Sequence, residues 1–286
     1  MAKKKRIQSL NKTELRNQRI AIVVAALFCI PIVLLYFTFF KLAFFDVNTG
    51  AWTLKNFTFL VAPMNLKLAT VPAIGPAMKN TVIFTVVVTC CEVMISCMAG
   101  YAISRLNFTG RKVIQNMLLI LRMFPNLLLL IGVLYVLITL KTSNSLLGVV
   151  LVAIAFRIPG STFIIKNFFD GIPRDIENSC LVDGCNRFSA FFQVIIYLIK
   201  PGIASISIFS FLSAWSNYIL FNTLIFNSKT PVIATYLKAL SRPEQPIVDY
   251  NTFAAMAIVY MLPVLVFFII SQKTLMKGNV AGGKGV

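Results

Sequence analysis

Few residues in this sequence belong to the types that chemistry needs. The chain has no histidine, so the commonest acid–base side chain and a usual zinc ligand are both missing. Of six cysteines, Cys29, Cys90, Cys91 and Cys97 lie in apolar runs, where cysteine behaves as a small hydrophobe. Cys180 and Cys185 are too few for a metal site, so no metal is expected. Three charges fall inside long apolar stretches: Glu92, Arg122 and Arg157. One acid with no histidine makes a poor proton relay, and no catalytic residue set emerges. What remains is ion pairing and hydrogen bonding in an apolar medium. Glu92 and Arg157 share a depth near the middle of their stretches, where a lone charge is costly and charges pair or face a watery cavity. A structural pair is the first reading, and a place along a solute path is the alternative. Arg122, near the end of its stretch, reads as a side chain that reaches back to the interface.

Ser207, Ser210, Ser213 and Asn217 recur at steps of three and four, which places them on one helix face. Small residues let helices approach closely. The other reading is a path lining, with Ser210 and Asn217 as candidates, because an amide binds hydroxyl groups. Near the carboxyl end, Gly278 and Gly283-Lys284-Gly285 approach a phosphate-binding loop. Glycine stands where such a loop needs Ser or Thr, and no helix follows. No ATP site is expected on this chain.

The elements that must position these residues follow from composition. Hydrophobic residues make up 58% of the 286 and charged residues 13%, against about 25% charged in soluble domains. Lipid tolerates such a chain. About 20 apolar residues span a bilayer as a helix, and six segments qualify: 20–40, 80–103, 117–140, 146–165, 203–226 and 252–271. The expected fold is therefore all-α, a polytopic membrane protein with about six transmembrane helices. The run 20–40 is too long for a signal-peptide core and lacks a cleavage site, so it reads as a first membrane helix.

Six spans put both termini on one side. Segments 1–19, 104–116, 166–200 and 272–286 carry 17 basic residues, and 41–79, 141–145 and 227–251 carry 8. That excess makes the first group cytoplasmic, including the tails 1–19 and 272–286. The net charge of +18 thus reports orientation in a lipid membrane, and no nucleic acid is expected. The outer loops 41–79 and 227–251 carry several prolines and read as irregular.

The longest cytoplasmic connection, 166–200, lies between the fourth and fifth spans. Pro173 suits a first helical turn, Asp175 and Glu177 suit its positive end, and Gly184 stands where the helix stops. Phe188, Phe191 and Phe192 open a second amphipathic helix. Alone, this is a helix–turn–helix at the membrane surface, with or without a partner.

The pattern resembles the cytoplasmic loop of binding-protein-dependent ABC importer permeases, in their carbohydrate branch. Their Glu-Ala-Ala, three residues, Gly signature places Asn178, Ser179 and Cys180 before Gly184, with Glu177 matching a frequent second acid and Val-Asp-Gly at 182–184. This sequence departs from the signature at Asn178 and at Tyr197, where the family has proline. Arg-Met-Phe-Pro at 122–125, Ala-Trp-Ser-Asn-Tyr at 214–218 and the glycine-rich tail are similar to the second permease of maltose-type importers. The resemblance implies a sugar or oligosaccharide permease in the bacterial cytoplasmic membrane. It implies as partners a homologous second permease, two ATPase subunits that hold ATP and Mg, and an extracytoplasmic solute-binding protein. It also implies that Pro173, Glu177, Asn178, Ser179, Cys180, Asp183 and Gly184 couple to the ATPase. The rival is a secondary transporter or channel independent of ATP, which would show paired broken helices, or a titratable or cation-coordinating cluster at mid-depth.

Overall fold

The computed structural model describes residues 2–46, 50–66, 69–71, 73–226, 231–240 and 250–281. They form two compact units, one within Met1–Thr58 and Pro246–Val259, the other within Phe59–Gln245 and Tyr260–Val286. Among the described residues the fold is all-α apart from two short hairpins. In the first unit α1 (Ala2–Phe44) runs into β1 (Phe45–Asp46), which pairs with β2 (Ala51–Trp52). The expected tail 1–19 is not separate from the first span, because from Ala2 onward it continues the same helix. A 3-10 turn, Lys55–Leu60, runs across the boundary at Thr58, and the second unit continues with the hairpin of β3 (Met64–Leu66) and β4 (Ala69–Val71).

The helices of the second unit are α2 (Gly75–Arg105), α3 (Arg111–Met123), α4 (Asn126–Thr139) and α5 (Leu146–Asp170). They continue with α6 (Arg174–Val182), α7 (Arg187–Ala190), a π-turn at Phe191–Ile195, α8 (Ile196–Leu198) and α9 (Lys200–Trp215). After these come α10 (Tyr218–Leu224), α11 (Ile233–Leu240) and α12 (Tyr250–Ala281), whose first ten residues belong to the first unit. By length and composition, Glu14–Phe44, Gly75–Arg105, Leu146–Asp170 and Tyr250–Gln272 are able to cross a membrane. Counting each of two bent helix pairs as one span gives up to six among the described residues.

Those bends correct the expected third and fifth spans. The stretch 117–140 is not one helix: α3 and α4 meet at 103° across Phe124-Pro125. The residue before a proline is driven out of helical backbone, and Phe124 is extended with ψ 130. The stretch 203–226 is also divided, since α9 ends at Trp215 and Asn217 starts α10. In addition, Arg187–Leu198 joins α9 at 77°. By contrast Pro159 sits inside an unbroken α5, as membrane helices allow. Of the outer loop 227–251, residues 227–230 and 241–249 lie outside the described residues, as do 282–286 of the tail.

The packing centre is α2 against α5, with α9 alongside. Gly100 lets α2 and α5 touch, because a Cβ there would collide with Ile165 Cγ2. Two apolar clusters result. One contains Phe84, Val88, Val149, Val152 and Ala214; the other contains Cys97, Tyr101, Ile165, Phe169 and Ile206. Between them, at the levels of residues 92, 157, 161 and 210, lies a polar layer.

Candidate functional site: a polar layer beside a cavity, and an anchored surface helix

Glu92 on α2 is the hub of the polar layer, and only 2% of it is exposed. Its Oε1 accepts from Ser161 Oγ, and its Oε2 accepts from Ser210 Oγ at 2.6 Å. Arg157 Nη1 stands 3.6 Å from Oε2 and donates to the Ser210 carbonyl at 3.0 Å. Three helices are thereby stitched together where lipid-like surroundings make an unpaired charge expensive. Ser161 supplies one of these bonds and was not singled out from the sequence.

The layer forms one wall of a cavity of about 530 Å³. Glu92 and Arg157 line it, together with Arg122, Asn126, Ser213, Asn217 and the rings of Phe124, Phe156 and Phe209. The serine face therefore splits: Ser210 holds Glu92, and Ser213 and Asn217 face the cavity. Asn217 caps α10, its Oδ1 accepting from Leu220 N at 3.3 Å. The break after α9 is what frees it from the helix. Arg122, read from the sequence as reaching the interface, lines the same cavity. Its guanidinium carbon lies 5.8 Å from the Phe163 ring centre, and its Nε lies 3.7 Å from where a Gly160 Cβ would be. Its side chain is exposed on the cavity wall.

The second site is α6. Pro173 stands at its N-cap position with extended ψ 136, and Asp175 and Glu177 lie in its first turn. Gly184 follows with φ 89, and Cys185 N donates to Cys180 O at 3.0 Å across the turn. That left-handed conformation is strained for a residue with a Cβ. Asn178, Ser179 and Asp183 are exposed. Ser179 Oγ and Cys180 Sγ bond the carbonyls of Asp175 and Ile176 one turn back, so their polar atoms are used within α6.

Glu177 points the other way and is 4% exposed. Tyr101 Oη donates to its Oε1 at 2.7 Å, Arg105 Nε lies 3.5 Å from Oε2 and Arg187 Nη1 lies 3.4 Å from Oε1. Arg105 Nη2 also donates to the carbonyls of Phe169 and Ile172, at 2.8 and 2.7 Å. Beside it, Ser104 Oγ donates to Asp170 at 2.5 Å. One end of α2 thus grips both α6 and the end of α5. Sequence reasoning missed Tyr101 and Arg105. Arg105 counted there only toward the cytoplasmic charge excess, and its place in the last turn of α2, beside the one connection rich in acids, was the available signal.

Residues 92–277 match the family of the binding-protein-dependent transport system inner membrane component. A sulfoquinovosyl glycerol transport system permease protein of Agrobacterium fabrum is 30% identical over 71% of this chain and 71% of its own. A maltodextrin transport system permease protein of Bacillus subtilis is 30% identical over 72% of this chain and 73% of its own. In fold, the chain is similar to a bacterial ABC transporter that imports the acidic polysaccharide alginate, with TM-score 0.64 and 17% identity over 90% of this chain and 97% of that one. The matched region contains the polar layer, the cavity wall from α2 to α10 and the anchored helix α6. On this footing the chain belongs to the binding-protein-dependent inner membrane components, the multi-pass permease subunits of ABC importers.

Proposed function

We propose that this chain is one of two homologous permeases that form the path of an ATP-driven carbohydrate importer in the bacterial cytoplasmic membrane, with both termini in the cytoplasm. Sugars are the solutes in the names of the Agrobacterium and Bacillus relatives, and the cavity offers the aromatic faces and amides that a sugar ring uses. The path runs through the cavity, whose open side meets the second permease. The exposed side of α6, with Asn178, Ser179 and Asp183, meets an ATPase subunit, where ATP and Mg are held. A solute-binding protein delivers the sugar from outside.

The observation that carries this reading is the double attachment of α2. It holds Glu92 in the cavity wall and, through Arg105 and Tyr101, the buried Glu177 of α6. Motion of α6 against an ATPase is transmitted along α2 to the polar layer, which is what alternating access under ATP control requires.

The test is uptake into proteoliposomes holding this chain, its partner permease and the ATPase subunits. Uptake of an oligosaccharide should need ATP on the ATPase side and the binding protein on the other. Equal uptake without ATP, driven by an ion gradient, would establish the secondary-transporter alternative instead.

A further inference from the structure

The cavity beside the polar layer carries more positive than negative charge, and more donors than free acceptors. Among the described residues, Glu92 is the one carboxylate that lines it. Both its oxygens are occupied, by Ser161 on one side and by Ser210 and Arg157 on the other. Arg157 keeps 17% of its side chain exposed. Arg122 adds a second guanidinium to the same wall, and among the described residues it forms no ion pair. Asn217 uses its carbonyl on Leu220 N–H, so its amide hydrogens remain for a ligand. Asn126 and Leu127, the first residues of α4, also line the space and turn the positive end of that helix toward it.

Arg122 is exposed on this wall with the Phe163 ring beside it, so its donors are open to an anion or water, the partners a guanidinium among membrane helices takes. Arginine's planar fork suits carboxylate, sulfonate and phosphate groups. A neutral sugar in this cavity would give Arg122 no counter-charge. Phe124, Phe156 and Phe209 give apolar faces for the rest of the ring.

Building on the carbohydrate-importer reading, we infer that the solute is an acidic carbohydrate, whose anionic substituent is bound in this cavity by Arg122 with Asn217 beside it. Arg157 is already committed to Glu92 and contributes field rather than the main contact.

The experiment uses the complete importer in proteoliposomes with its binding protein and matched probe pairs. Digalacturonate is compared with galactobiose, and glucose 6-phosphate and 6-deoxy-6-sulfoglucose with glucose. One acidic probe should enter about tenfold faster than its neutral counterpart, the scale of one charge-assisted hydrogen bond. Which pair shows the preference identifies carboxylate, phosphate or sulfonate. Arg122→Gln should lower that acidic-to-neutral ratio severalfold, and Arg122→Lys should retain most of it. The ratio is taken within one preparation, so the fraction of folded complex cancels. ATP-driven uptake of the neutral probes alone overturns the acidic assignment and leaves the carbohydrate-importer reading standing. A ratio unchanged in Arg122→Gln overturns it too, and assigns the guanidinium to an acid of the partner permease. No ATP-driven uptake of any probe overturns both readings.

Discussion

Arg105 and Glu177 meet at 3.5 Å with side chains 3% and 5% exposed, joining the end of α2 to the middle of the surface helix α6. Arg105 also holds two carbonyls, and Glu177 also receives Tyr101 and Arg187. The pair is therefore a node rather than an isolated bridge.

That arrangement makes Glu177→Ala costly. Removing one partner of a buried pair leaves a charge without compensation, at about 3–5 kcal/mol. The expected outcome is an inserted permease that loses the ATPase subunits on purification, read by the ratio of subunits on a gel. Exchanging the two residues, Arg105→Glu with Glu177→Arg, should not rescue it. A carboxylate at 105 would face the carbonyls of Phe169 and Ile172, and an arginine at 177 would face Arg187. Full rescue would show that only the charge product matters.

Neutralising Glu92 should act on the bundle itself. Glu92→Gln keeps acceptors for part of the serine network, whereas Glu92→Leu leaves Ser161, Ser210 and Arg157 unmatched. We expect the leucine variant to lose several kcal/mol more, on the order of a broken buried pair, visible as a lower melting temperature in detergent. The pair of substitutions Glu92→Arg and Arg157→Glu should restore part of the loss. Equal melting of all variants and the parent would remove the polar layer from the list of stabilising features.

Gly184 has φ 89 and open space around a built Cβ. Only backbone conformation penalises a substitution, by roughly 1–2 kcal/mol for most residues and less for Asn. Gly184→Val should therefore impair solute-stimulated ATP hydrolysis by the assembled importer, while Gly184→Asn stays near the parent. A valine variant with normal stimulation would mean that the turn does not set the position of α6.

Gly100 differs, because space rather than conformation is limiting. A Cβ would clash with Ile165 Cγ2 and lie 3.2 Å from Lys166 N. Gly100→Ala should destabilise by about 1–3 kcal/mol, and Ile165→Ala in the same chain should recover part of that. The two effects should be less than additive, as neighbours are, when thermal unfolding of the four variants is compared.

Much of this architecture was legible in residue order. Long apolar runs located α2 and α5, because lipid demands them. Pro173 and Gly184 bracketed α6, because each restricts the backbone in a way that marks a helix end. The shared depth of Glu92 and Arg157 anticipated their contact. The breaks at Phe124-Pro125 and Ser216-Asn217 were not read, since an apolar stretch looks the same whether straight or bent. The place of Arg122 on the cavity wall was hidden because that wall is assembled from α2, α3, α5 and α9, which are far apart in sequence. The role of Arg105 was hidden in the same way: its partners lie 64 to 72 residues onward, and only packing brings them to it.

Between Glu92 and Arg105, α2 is uninterrupted and free of proline, the usual cause of a sharp kink. Thirteen residues of helix make about 20 Å of stiff rod, and its midsection is pressed against α5 at Gly100. A rod of this kind has no slack. Tilt imposed at its Arg105 end reaches the cavity wall without a separate relay step, so the two ends keep the same time. Under the proposed coupling, any delay between nucleotide events and solute release then belongs to the elements at either end, and not to the shaft that connects them.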